Sequence, residues 1–228
     1  MKADQRPEPE SFLDLTGRPL KGRLKIYIGA AAGVGKTYKM LEEAHQLRAK
    51  GIDAVIGLVE THNRTDTADK VGDLEIVPRR AIEYRGTTQH EMDLDAIIAR
   101  KPDVAIVDEL AHTNVPGSRH EKRFQDIEEL MASGISVITA INIQHIETLN
   151  PLMRRITGID VREVVPDSFI AKADQIVNID VTVEQLRERL REGKIYPAAQ
   201  IEQALKNFFK SSNLFARFHT HKHSTTLL

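Results

Sequence analysis

The sequence predicts an α/β fold, with a mainly parallel β-sheet sandwiched between helices and a helical extension at its C-terminal end. Two observations predict it. The runs "LKIYIGA", "DAVIGLVE", "DVAIVDE" and "ISVITAINI" are short and aliphatic at their centres, as strands covered on both faces must be. Stretches of helical period separate them, and strand–helix alternation builds parallel sheets.

Residues 1–22 hold Pro7, Pro9 and Pro19 without periodicity and read as a flexible lead. The α/β domain is expected over 23–181. Its first strand, "LKIYIGA", runs into the helix "KTYKMLEEAHQLRAK". There Met40, Leu41, Ala44 and Leu47 share one face and Gly51 closes the end. The second strand covers 53–60. An inserted pair of short β runs is expected within 74–86, around Pro78. "DLDAIIARK" is a helix, 103–109 a strand, and "FQDIEELMASG" a helix closed by Gly134. Ser118 and Glu121 form a capping-box pattern that places Arg119 and His120 in that helix's first turn. A strand over 135–143, the helix "QHIETLNPLMRRITG" and a last core strand over 175–180 complete the domain. From 182 to 218 the pattern is helical, with a capping box at Thr182 and Gln185 and Pro197 opening the final helix. Residues 219–228 read as a tail, so His219, His221 and His223 are better taken as tail than as a metal site.

Composition removes several function classes. Thirty-two basic residues against thirty-three acidic give a net charge of −1, so no basic field points to nucleic acid. There is no cysteine, which excludes disulfides and thiol chemistry. No apolar run has the length of a membrane span and no signal-peptide pattern opens the chain, so a soluble chain is expected.

The chemistry concentrates in "AAAGVGKT". A strand before the loop, glycines within it and a helix after it are what a phosphate-binding loop requires, and the predicted fold is therefore of the P-loop nucleotide-binding kind. Gly33 and Gly35 free the backbone N–H groups around Val34 to face phosphate oxygens. Lys36 is placed for the β and γ phosphates, and Thr37 for a magnesium ion carried by ATP. The usual first glycine of such a loop is Ala30, with Gly29 one residue early; alanine is tolerated there if its φ stays negative. The aliphatic strand before "DELAH" delivers Asp108 as the magnesium-ordering acid, and Glu109 becomes a candidate to orient a water if the chain turns there. Two further loops leave strand ends on the ligand side. "ETHNRTDT" offers Glu60, His62 and Arg64, while "LAHTNVPGSRHEKR" offers His112, Asn114, Arg119, His120 and Arg123. Arg119 is the phosphate-sensor candidate. The 111–117 stretch, with its Pro116–Gly117 turn and few apolar anchors, is expected to be mobile without nucleotide. No N-K-x-D pattern is present and the acid strand ends in "DELA", which argues against a GTP switch.

"GAAAGVGKTYKML", "GLVETHNR", "YRG", "DVAIVDELAHTNVPGSRHEKRFQDIEELMASGISV", "NIQHIETLN" and "VREVVPD" together resemble the N-terminal domain of the KdpD sensor kinases of potassium limitation and osmotic stress. The long segment from Asp108 through "PGSRH" to "QDIEEL" is the most specific part. Asn63 stands where that family commonly has glycine. The resemblance implies a cytoplasmic ATP-binding domain that regulates kinase and phosphatase activity. Its partner would be the remainder of a sensor kinase or a separate signalling protein. No histidine-kinase core is legible. Slow or no ATP hydrolysis is expected, because only Glu109 and Arg119 are candidates to order a nucleophile and to meet developing charge. A small P-loop kinase or ATPase is the alternative, and the oligomeric state is left open.

Overall fold

The computed structural model describes residues 21–61, 64–157 and 161–179, with 181, 182, 184, 185, 188 and 191 beyond them. Its elements are β1 (Leu24–Gly29), α1 (Lys36–Ala49), β2 (Ala54–Leu58), α2 (Thr65–Asp69), β3 (Arg80–Tyr84), β4 (Thr87–Glu91) and α3 (Leu94–Arg100). They continue with β5 (Val104–Val107), α4 (Arg123–Ala132), β6 (Ser136–Asn142), α5 (Asn150–Thr157), α6 (Asp167–Ile170) and β7 (Gln175–Ile179).

Five strands form one parallel sheet in the order β2-β5-β6-β1-β7. β6 is thus inserted between the strand that leads to Lys36 and the strand that leads to Asp108. Each face of the sheet buries its own apolar cluster. α1 packs Met40, Leu41, Ala44 and Leu47 with Tyr27, Ile56, Ile106 and Ile138 on one face. α3, α4 and α6 pack Ile97, Ile127, Leu130 and Phe169 with Ile26, Ile28, Val107 and Ile141 on the other. The handedness of parallel crossovers explains this division. The chain moves one way across the sheet from β1 to β2, and back the other way through β5 and β6 to β7. Connections of one hand therefore lie on opposite faces. Between β1 and β6 the two loops diverge to opposite faces, which opens a crevice at the C-terminal strand ends.

Alternation in β1 turns Lys25 and Tyr27 toward α1, where both are buried. Lys25 Nζ donates to Glu43 Oε1 at 2.7 Å, and the Tyr27 hydroxyl donates to Glu43 Oε2. This polar clamp fixes α1 against β1 and so fixes the loop between them. Burial, with the Glu43 carboxylate beside it, holds the Tyr27 hydroxyl well above the ordinary tyrosine range.

The structure corrects three element boundaries. The inserted pair is a hairpin of β3 and β4, and its second strand lies beyond 86. Arg85 (φ 49°) and Gly86 (φ 76°) make the two-residue turn, in the left-handed conformation that suits strand twist. The run before Pro78 instead makes a single bridge, Ile76 to Ile56. The helix expected over "QHIETLNPLMRRITG" is divided: Ile143–His145 is a 3₁₀ turn, and α5 starts only at Asn150. Pro151 fits an N-terminal turn and would break a helix interior. Finally, α4 starts at Arg123, not at Ser118. Its entry is fixed by the Lys122 backbone N–H donating to Gln125 Oε1 at 2.9 Å, so Arg119 and His120 stand outside the helix. Gly22, at the end of the expected lead, packs against the turn between α4 and β6. Its N–H donates to Met131 O at 2.7 Å, and a Cβ there would lie 1.9 Å from Ile135 O.

The Thr182–Gln185 capping box is present: Gln185 N donates to Thr182 Oγ1 at 3.1 Å and Thr182 N to Gln185 Oε1 at 3.0 Å. The lead before residue 21, the last helix and the histidine tail lie outside the described residues.

Candidate functional site

The loop 30–35 leaves β1 at the crevice and returns into α1. Gly33 (φ 82°) and Gly35 (φ 101°) are left-handed, a backbone state that disfavours any side chain. Ala30 is buried and its φ is not positive, so the condition for alanine at that position is met. Gly29 has a separate reason to be glycine. A Cβ there would stand 2.6 Å from Val34 Cγ2 and 3.1 Å from Lys36 Cδ, so the loop and the lysine stem fold back directly over it.

Lys36 is the first residue of α1 and reaches back across the crevice. Its Nζ donates to Asn142 Oδ1 at 2.6 Å and to Ala31 O at 3.2 Å. Burial lowers its pKa to about 8; Asp108 opposes that shift and Arg64 adds to it. Thr37 Oγ1 donates to Asp108 Oδ2 at 2.8 Å, joining the start of α1 to the end of β5. Asp108 is itself buried. Burial pushes its carboxyl up, while the Thr37 hydroxyl and the Glu109 N–H, donating to Oδ1 at 2.9 Å, pull it back. Glu109 has φ 56°, so the chain does turn immediately after Asp108. Lys36, Thr37, Asp108 and the glycines therefore converge, with Glu109 beside them. Asn142, which sequence reasoning missed, joins them from β6.

Several of the other predicted residues are used elsewhere. Arg119 bonds Glu129 and Asp95, at 2.5 Å in each case, and its described contacts do not reach the loop. His120 bonds Glu129 Oε2 at 2.7 Å, and Glu60 is held by Arg79 at 2.5 Å. His62 and Asn63 lie outside the described residues.

The 111–117 stretch, expected to be mobile for want of apolar anchors, is held by several polar ones. Its anchors are polar, and they read from sequence as surface charge. Glu91, at the end of β4, accepts from His112 Nε2 at 2.9 Å, from Val115 N at 2.9 Å and from Arg123 Nη2 at 2.7 Å. Burial opposes ionisation of Glu91, but these three donors outweigh it and hold the carboxyl below its ordinary value. Asn114 Nδ2 donates to Asp126 Oδ2 at 2.6 Å, and Thr113 N donates to Glu163 Oε1 at 2.8 Å.

Similarity to known proteins follows the same residues. A family model described as "KdpD: Osmosensitive K+ channel His kinase sensor domain" matches residues 20–219. The chain belongs to the KdpD family. Sensor protein KdpD of Escherichia coli K12 is 52% identical over 211 residues, which cover 92% of this chain and 24% of that protein. The KdpD sensor protein of Mycobacterium tuberculosis H37Rv is 48% identical over 196 residues, covering 86% of this chain and 23% of that protein. A Synechocystis relative that carries the KdpD sensor name is 56% identical over 196 residues, 53% of its own length. This chain therefore corresponds to the sensor domain of KdpD and to about a quarter of the longer relatives. Among its described residues no helix is long and apolar enough to cross a membrane.

Proposed function

We propose that this KdpD domain is a regulatory module that binds ATP with magnesium through a P-loop and reports that binding to a potassium and osmotic-stress sensor kinase. One observation carries the reading. Lys36 is enclosed at the crevice with its ammonium on two neutral oxygens, behind a loop whose glycines are left-handed. The half-buried ammonium bonds only neutral oxygens among the described residues, with the Asp108 carboxylate acting on it from a distance, and a polyphosphate would bring opposite charge to contact range.

The residues present fit both groups. The backbone of 33–35 and the N-terminal end of α1 would hold the inner phosphates, and Lys36 the outer ones. Thr37 and Asp108 are hard oxygen donors already 2.8 Å apart, as a magnesium site requires. Among the described residues no group of three or more His, Asp or Glu is placed to hold a metal. Magnesium would therefore complete its shell with phosphate oxygens and arrive with the nucleotide. It would neutralise charge between the β and γ phosphates.

The chain's own part is to bind and orient. The bond between Lys36 and Asn142 holds the ammonium over the loop, and the bond from Thr37 to Asp108 holds the two metal donors together. A cytoplasmic location accords with ATP as ligand, and the partner is the remainder of a sensor kinase or a separate signalling protein. A second reading, a small P-loop kinase or ATPase, is favoured by Glu109, whose left-handed turn leaves a carboxylate beside Asp108. Turnover is expected to be slow or absent, because Arg119 is committed to two carboxylates and does not serve as the cation for developing charge.

Calorimetry on the whole chain with ATP, ADP and GTP, with and without magnesium, tests the reading. Binding that Lys36→Ala abolishes, with the fold intact, supports it. Unchanged ATP affinity in that variant overturns it.

A further inference from the structure

We infer that Asn142 distinguishes a nucleoside triphosphate from a diphosphate, its side-chain amide nitrogen donating to the terminal phosphate. The inference rests on the nucleotide reading above and names the contact that reads the last phosphate.

Strand order puts the residue in place. β6 lies between β1 and β5, and Asn142 is its last residue. Ile138 and Ala140 point into the cluster beneath α1, so by alternation Asn142 faces α1 as well. Asp108 continues the same face of β5 after Val104 and Ile106, where it meets Thr37 at the start of α1. The Lys36 stem crosses the end of β1: a Cβ on Gly29 would stand 3.1 Å from Lys36 Cδ and 3.3 Å from Cγ. Gly29 and Asn142 are partners in the register of β1 with β6, and the ammonium comes down on Asn142 Oδ1 at 2.6 Å. Three neighbouring strand ends thus carry Lys36, Asn142 and Asp108 in a row. A phosphate that touches Lys36 on one side and a metal held by Thr37 and Asp108 on the other lies over the middle strand. Asn142 is the residue beneath it.

The chemistry of the carboxamide fits that place. An ammonium only donates, so the atom that faces Lys36 is the oxygen and the other arm, Nδ2, is the donor. Asn142 is half-buried, and among the described residues no acceptor is bonded to Nδ2. Its two N–H groups therefore stand at the crevice with their hydrogen bonds still to make. Asp108 and Glu109 already set two carboxylates at the end of β5, so the terminal phosphate needs donors on its other sides. Lys36 supplies one, shared with the phosphate before it, and Asn142 supplies another that only the last phosphate reaches. A diphosphate on the 33–35 backbone and Lys36 leaves the space over β6 to water. Hydrogen bonds to an ionised phosphate are stronger than those between neutral groups, which makes the difference measurable.

Calorimetry with magnesium–ATP and magnesium–ADP on the full chain tests the inference, using wild type, Asn142→Ala and Lys36→Ala. Wild type should prefer ATP, and Asn142→Ala should lower the ratio of ATP to ADP affinity by about tenfold, from the strength of a charge-assisted phosphate contact. Lys36→Ala should weaken both nucleotides. A role confined to holding Lys36 would move ATP and ADP alike and leave the ratio unchanged. In proton–nitrogen NMR spectra the Asn142 side-chain amide, assigned by its loss in the alanine variant, should shift downfield with ATP and not with ADP. If Asn142→Ala loses cooperative unfolding, Asn142→Leu keeps the bulk without the donor and carries the same comparison. An unchanged ratio in the variant, or equal affinities in wild type, overturns the role of Asn142 and leaves the nucleotide site standing. Failure of the wild-type chain to bind either nucleotide overturns the site and this inference with it.

Discussion

Lys36 and Asn142, 106 residues apart in sequence, are joined by a 2.6 Å hydrogen bond that closes the crevice between β1 and β6. The carboxamide is neutral, so it holds the ammonium without cancelling its charge. Asn142→Asp should change that. A carboxylate at the same place would pair with Lys36 and repel phosphate, and ATP affinity should fall by about tenfold or more. Calorimetry beside a thermal denaturation control measures this. Wild-type affinity in the variant would mean that phosphate does not approach Lys36 at this point.

Binding should also depend on pH through Lys36. Burial sets its pKa at about 8 in the nucleotide-free chain, and a neighbouring polyphosphate would raise it. Above pH 8 the free chain loses a proton that the complex keeps. Affinity should therefore be flat below pH 8 and fall as pH rises beyond it, by at most about tenfold per unit. Titration at pH 9 in buffers of different ionisation heat should show proton uptake. Lys36→Arg should remove the dependence in this range.

The 2.8 Å pair of Thr37 and Asp108 makes a prediction about metal removal. In wild type, chelation by EDTA should weaken ATP binding, because Asp108 then faces the phosphates with no magnesium between them. Asp108→Asn should bind ATP with nearly the same affinity with and without magnesium. A full magnesium response in Asp108→Asn would remove that residue from the metal site.

The candidate residues that the sequence pointed to and the structure brings together share one property: the signals for them are local. The loop's glycines, Lys36 and Thr37 need only a strand before them and a helix after, and Asp108 needs only an aliphatic run before it. Asn142 was illegible because its role depends on β6 lying between β1 and β5, and strand order is not written in local pattern. Arg119 and Arg123 were ambiguous for a different reason. Both sit in "SRHEKRFQDIEEL" and read as a charged helix start, yet Arg123 is 1% exposed and Arg119 bridges surface carboxylates. A buried charge and a solvated one look alike until the partner, here Glu91, is known. Lys25 and Glu43 escaped notice for the same reason.

Glu91 gives the stability prediction. Its side chain is 6% exposed and that of Arg123 1%, so Glu91→Ala would leave a buried guanidinium with only Asp126, 3.8 Å from its Nε, as counter-charge. The expected loss is about 3–5 kcal/mol, seen as a lower midpoint in urea. Glu91→Gln keeps an acceptor and should lose less. Because the folded carboxyl is held below its ordinary value, this contribution is present above the unfolded pKa and disappears as pH falls through the folded one. A urea midpoint for Glu91→Ala equal to that of wild type would show that the pair adds nothing.

The last prediction concerns how the bound state is read out. Thr113, Asn114 and Val115 donate their backbone N–H groups to Glu163 Oε1, Glu121 O and Glu91 Oε1, at 2.8, 2.8 and 2.9 Å. These amides should therefore be protected from hydrogen exchange in the nucleotide-free chain, and ATP should protect 33–37 without first ordering 111–117. A signal can still cross this stretch as a rigid shift, since it links Asp108 to α4 through Arg123 N donating to His112 O at 3.0 Å. Glu91→Gln offers the comparison. Weakening its bonds to Val115 N and Arg123 should raise exchange across 113–115 while the 33–37 response to ATP persists. Rapid exchange of Thr113, Asn114 and Val115 in the wild-type, nucleotide-free chain would restore the picture of a loop that nucleotide must order.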